Sequence, residues 1–160
     1  MTTFFDLFMS QSPPASDPAE MERRFQELLA DSPFRPWQPG DPIVQRGERL
    51  LIGVAPWSGY DLRLLDVVAE ALSSSRPAPV PVVEVFSVAA CNEERDFRKY
   101  IPRLRHVFHT PVVGVWRNGR LDEAKEGYEA RDLVARRFGA DAAAVVESVQ
   151  DWIKPRSIAP

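Results

Sequence analysis

The chain has 160 residues, 44% of them hydrophobic and 27% charged, which is enough apolar side chain for one domain with its own core. A formal charge of -3 and a pI near 5.5 lack the basic excess with which nucleic-acid-binding domains neutralise phosphate. Cys91 is the only cysteine and His106 and His109 the only histidines, which excludes an intrachain disulfide and a four-ligand Cys/His zinc site and fits a reducing compartment.

Residues 1–18 carry no Lys or Arg ahead of their short apolar run, and Asp6 interrupts it, so neither a signal peptide nor a membrane span is expected and the chain reads as soluble and cytoplasmic. Phe4, Phe5, Leu7, Phe8 and Met9 are too apolar for an idle tail; they are expected to pack on the domain itself, on a second copy or on a partner. Asp17, Pro18 and Glu20 supply an N-cap, a first-turn proline and a capping-box partner, and Met21, Phe25, Leu28 and Leu29 follow at helical spacing, predicting a helix over 17–31. Five residues of 32–42 are Pro33, Pro36, Pro39, Gly40 and Pro42, which forbid a helix or a central strand and predict a stiff connector pinned by Trp37.

The apolar run 49–55 predicts a buried strand, followed by a turn at 56–59 and a helix over 61–74. A second buried strand over 80–88 leads to Asn92, read as the N-cap of a helix with Glu93 and Glu94 in its first turn. Two strands joined by a helix suggest parallel pairing. Residues 111–116, then Asn118 and Gly119, then Leu121 onward form the strand, turn and strand of a tight hairpin. Helices are expected over 130–138, ending at Gly139, and over 141–153, the latter with Val145, Val146, Val149, Trp152 and Ile153 on one side.

This order of elements, with the sequence Ala55-Pro56-Trp57-Ser58-Gly59-Tyr60-Asp61 after the first long strand and Thr110-Pro111 entering the hairpin, resembles the thioredoxin family. In that family the turn reads Trp-Cys-Gly-Pro-Cys; Trp57 and Gly59 match, and Ser58 and Asp61 stand where the two cysteines would be. Thr110-Pro111 looks like the family's cis-proline, and Gly127 like the glycine before its last helix. The resemblance implies an α/β, thioredoxin-like fold over 42–139: a mixed central sheet flanked by helices, preceded by an N-terminal segment, helix and connector (1–41) and followed by an extra C-terminal helix (140–160).

The departures bear on function. Disulfide exchange needs one thiolate to attack and a second thiol to resolve the mixed disulfide, and neither Ser58 nor Asp61 does this, so ordinary disulfide oxidoreductase activity is excluded. The family's buried strand carboxylate aligns with Ile52, so its proton-handling group is expected to be missing. Ser58, Asp61 and His109 are the residue types of a nucleophile, an acid and a base, but three types without geometry do not make a triad; helix capping suits Ser58 or Asp61, and a groove rim suits His109. The basic stretch Arg95, Arg98, Lys99, Arg103, Arg105 and His106 is diluted by Glu93, Glu94 and Asp96 and reads as a solvated face.

The resulting expectation is a redox-inactive protein- or peptide-binding module with no cofactor and no metal, using the groove lined by Trp57, Ser58, Gly59, Tyr60, Asp61, His109, Thr110 and Pro111. Trp57 and Tyr60 are expected on an exposed loop as interface anchors, and self-association is expected to run through the apolar N-terminal segment or the last helix. The alternative is a single-thiol enzyme or redox sensor using Cys91, placed after a strand and before a helix N-terminus, where a thiol pKa can fall.

Overall fold

A computed structural model describes residues 18–30, 33–43, 45–73, 81–107 and 109–138. The apolar N-terminal segment, the last helix expected over 141–153 and Gly139 lie outside the described residues. Within them the order is α1 (Pro18–Ala30), β1 (Arg35–Pro36), β2 (Glu48–Val54), α2 (Gly59–Ser73), β3 (Val82–Ser87), α3 (Glu94–Tyr100), β4 (Val112–Arg117), β5 (Arg120–Glu126) and α4 (Gly127–Arg137), with a 3-10 turn at Val88–Ala90. The strands form one mixed sheet in the order β1-β3-β2-β4-β5: β1 and β2 run parallel to β3, and β4 is antiparallel to both β2 and β5.

Because β2 is paired on both edges and covered on both faces, Arg49 through Val54 are all buried. Side chains alternate across a strand. Leu50, Ile52 and Val54 therefore join Val83, Val85, Val113 and Val115 on one face, under Phe25 of α1, Leu64, Leu65 and Val68 of α2, and Ala130 and Val134 of α4. Leu51 joins Phe86, Val112 and Trp116 on the other, under Trp37, Tyr100, Ile101 and Leu104. Tyr100 stacks on Phe86 with ring centroids 3.9 Å apart.

The proline-rich connector contributes more than a link. Arg35 and Pro36 pair with Glu84 and Val85 as a two-residue edge strand, and the Trp37 N–H donates to the Val85 carbonyl at 3.2 Å. Proline is tolerated there because one side of an edge strand has no ladder to serve. At the opposite edge the Arg103 guanidinium donates to the Leu121 and Asp122 carbonyls of β5. The hairpin closes through Asn118 (φ 52°) and Gly119 (φ 81°), the positive angles that a two-residue hairpin turn requires.

Two expectations are corrected. The N-cap of α3 is Glu93 rather than Asn92: the Asp96 carboxylate, three residues on, accepts the N–H groups of both Asn92 (2.9 Å) and Glu93 (3.0 Å). The helix expected from 130 starts at Gly127, directly at the end of β5, where φ is 59° and a side chain would run into His109. No helix among the described residues is long and apolar enough to cross a membrane.

One interior feature is ionic. Arg49 is 1% exposed, paired with Glu84 from β3 and held between the Trp37 and Trp116 rings at 4.9 and 4.6 Å. Its Nη1 and Nη2 are buried without partners. Removing one member of a buried ion pair strands the other charge. Glu84→Gln is expected to lower unfolding free energy by roughly 3 kcal/mol, and the double variant Arg49→Met/Glu84→Met by clearly less; urea denaturation of the three proteins checks this.

Candidate functional site

β2 ends at Val54 and the chain turns into α2 with its polar groups satisfied locally. The Ser58 N–H donates to the Ala55 carbonyl at 2.9 Å, and the Ser58 carbonyl accepts from Leu62 at 3.0 Å. Ser58 Oγ accepts from the Asp61 N–H at 3.3 Å, so Ser58 is the N-cap of the helix. Asp61 does not complete a reciprocal capping box. Its Oδ2 instead reaches back to accept the Ala55 N–H at 2.9 Å, stitching the end of β2 to the first turn of α2.

Asp61 is fully buried, which corrects the expectation that its side chain lines an open groove. Oδ1 has no well-formed hydrogen bond. Burial raises the Asp61 pKa from the ordinary 3.8 to about 6, opposed by the Ala55 N–H, the Thr110 hydroxyl, the Arg131 charge and Ser58. Ser58, Thr110 and Arg131 come from three elements, so the first turn of α2, the segment entering β4 and the helix α4 meet at this carboxylate. A buried acid is therefore present after all, at Asp61 rather than at the position of Ile52, whose side chain is core.

The peptide bond between Thr110 and Pro111 is cis. The Pro111 carbonyl accepts from the Gly127 N–H at 2.8 Å, which fixes the start of α4 against this segment. Of the eight residues expected to line the groove, His109 is exposed, Trp57, Tyr60 and Thr110 are half-buried, and Ser58, Gly59, Asp61 and Pro111 are buried. Trp57 is not a free anchor: it packs against the aromatic cluster of the second face. Tyr60 packs on Arg131, with the guanidinium carbon 5.0 Å from its ring centroid, and the same carbon lies 5.1 Å from the Tyr128 ring centroid.

Arg131 and Tyr128 did not emerge from the sequence reading. Their signal is the three-residue spacing after Gly127, which puts both on one face at the start of α4. Tyr128 is 73% exposed. The expected Ser58, Asp61 and His109 set is partly gathered: Ser58 and Asp61 are hydrogen-bonded, whereas His109 packs against Gly127. Two clefts of about 290 and 250 Å³ lie elsewhere, one lined by Pro33, Leu72 and Val82 and the other by Lys125, Glu129 and Arg136.

Cys91 is half-buried against the second-face cluster. Burial, and then the negative Asp96, raise its pKa from 9.0 to about 11, with Lys99 opposing. The helix that follows does not lower it. The basic stretch is engaged in local pairs: Arg95 with Glu93 at 2.5 Å, Lys99 with Asp96 at 3.0 Å and His106 with Glu94 at 3.0 Å. Among the described residues no group of three or more His, Cys, Asp or Glu side chains is placed to hold a metal. No family model matches the chain, and no curated protein matches it either.

Two outcomes follow from these pKa shifts. An acid whose folded pKa is raised keeps its proton in the folded state between about pH 4 and about pH 6, so its contribution to stability is present below that window and is lost as pH rises through it. The rise from 3.8 to about 6 corresponds to roughly 3 kcal/mol. The stability of the wild type relative to Asp61→Asn is expected to fall by about that amount between pH 4 and pH 7 in urea titrations. Cys91 at pH 8 is expected to react with iodoacetamide about tenfold more slowly than a free cysteine, its small thiolate fraction being only partly offset by greater nucleophilicity.

Proposed function

We propose that this chain is a thioredoxin-like protein without redox function, whose groove beside Pro111 binds an extended segment of another protein. The observation that carries this reading is the meeting of the first turn of α2 with Thr110 and Pro111 around Asp61. In the resembled family the corresponding junction pairs the dithiol with the peptide-binding edge; here a helix cap and a buried carboxylate take the dithiol's place. The strand order β1-β3-β2-β4-β5 and the register of the β4–β5 hairpin support the fold assignment.

Half-buried Trp57 and Tyr60, with exposed His109 and Tyr128, give this junction an aromatic and polar surface of the composition that interface cores favour. The single-thiol alternative has against it a Cys91 that is half-buried and whose pKa is pushed up to about 11.

Titrating isotopically labelled protein with pooled extended peptides is expected to shift the amide signals of Tyr60, Asp61, His109 and Thr110. Trp57→Ala is expected to raise the half-saturating concentration about tenfold, as loss of a central aromatic does, while Cys91→Ser leaves it unchanged. Shifts confined to other surfaces, with Trp57→Ala binding normally and still folded, would remove the groove from consideration.

A further inference from the structure

Arg131 is 7% exposed, yet among the described residues its side chain makes no hydrogen bond and no ion pair. Its Nε is fully buried and unpartnered. The nearby acids of α4 are committed elsewhere, Glu129 to Lys125 at 3.3 Å and Asp132 to Arg136 at 2.9 Å. Asp61 acts on Arg131 through its charge, but its formed hydrogen bond goes to Ala55. A buried guanidinium N–H without a partner is costly, and such groups are ordinarily paired.

The planar geometry of the guanidinium decides how a ligand can meet it. The guanidinium carbon lies over both the Tyr60 and the Tyr128 rings, 5.0 and 5.1 Å from their centroids, and because its N–H groups lie in the guanidinium plane a ligand meets it at an edge. That edge presents two parallel donors, which match the two oxygens of a planar carboxylate. A singly charged carboxylate also suits the neighbourhood of Asp61 better than a phosphate dianion, because repulsion grows with the ligand's charge.

From this we infer that Arg131, beside the rings of Tyr60 and Tyr128, reads an acidic side chain of the bound peptide. The inference rests on the groove reading above and names the residue that sets its specificity. Exposed Tyr128 shields the resulting pair from water, and half-buried Thr110 and exposed His109 border the peptide's path.

The test uses the full chain and capped, fluorescently labelled peptide pools whose flanks are randomised among uncharged residues and whose central position is Glu, Gln or phosphoserine. The Glu pool is expected to bind about tenfold more tightly than the Gln pool. Arg131→Gln should level the two, and Arg131→Lys, which keeps the charge but loses the fork, should leave an intermediate preference. Circular dichroism melts confirm that the variants fold, and Arg131→Lys carries the test should Arg131→Gln fail to. Asp61→Asn is expected to strengthen the Glu preference by removing the competing charge. Equal binding of the Glu and Gln pools by the wild type would overturn the inference and leave the groove reading intact, as would a Glu preference that survives Arg131→Gln. Tighter binding of the phosphoserine pool would overturn the assignment to a carboxylate. Absence of binding by every pool would overturn the groove reading, and this inference with it.

Discussion

The two-sided burial of β2 is the constraint on which the rest of the architecture depends. A strand whose residues Arg49 through Val54 are all buried has to be sheeted on both edges and roofed on both faces. Helices α1, α2 and α4 therefore cover one face, while α3, Tyr100 to Leu104 and the aromatic residues cover the other. Parallel pairing on one edge needs a crossover, which α2 provides, and antiparallel pairing on the other brings in the hairpin. The same burial carries Arg49 into the interior, where Glu84 and two tryptophan rings make its charge tolerable.

At the far end of β2 the problem is different. The chain leaves the sheet through a tight turn and enters a helix whose first N–H groups need acceptors. Ser58 serves the helix, and Asp61 serves the strand end by accepting from Ala55. The carboxylate is fully buried, with Thr110 and Arg131 of α4 beside it. Asp61 and Arg131 form a loosely coupled pair of opposite charges, each with an unused polar atom. Such incomplete pairing is expensive in a low-dielectric interior, where an unpaired polar group loses its water without a full replacement.

How much of this was legible in the sequence varied with the range of the interactions involved. The hairpin was readable from Asn118-Gly119 because the turn's backbone angles are a local demand, and β2 and β3 were readable from uninterrupted apolar runs. The N-cap role of Ser58 was likewise local. The edge strand at Arg35–Pro36 left no sequence signal, since two residues between prolines acquire strand geometry only by lying against β3. Asp61 read as a helix-capping or groove-lining residue because the groups that meet it in the interior, Thr110 and Arg131, lie 49 and 70 residues further along the chain. The early start of α4 was hidden for a related reason: the 126–127 junction is fixed by the bond from Gly127 to the Pro111 carbonyl. Arg49 heads the apolar run 49–55 with nothing local to mark an interior charge, and its ionic partner Glu84 stands 35 residues further along the chain.

Both borders of the sheet are blunted by side chains already described. Pro36 offers no N–H at one border, and at the other Arg103 occupies the carbonyls of Leu121 and Asp122 while Arg120, Asp122, Glu123, Lys125 and Glu126 fill β5 with charge. An open strand edge is a template on which another chain can add a strand, and repetition of that step grows aggregates. A sheet guarded in this way resists recruiting copies of itself edge to edge, which closes the route by which exposed strands seed fibrous assembly.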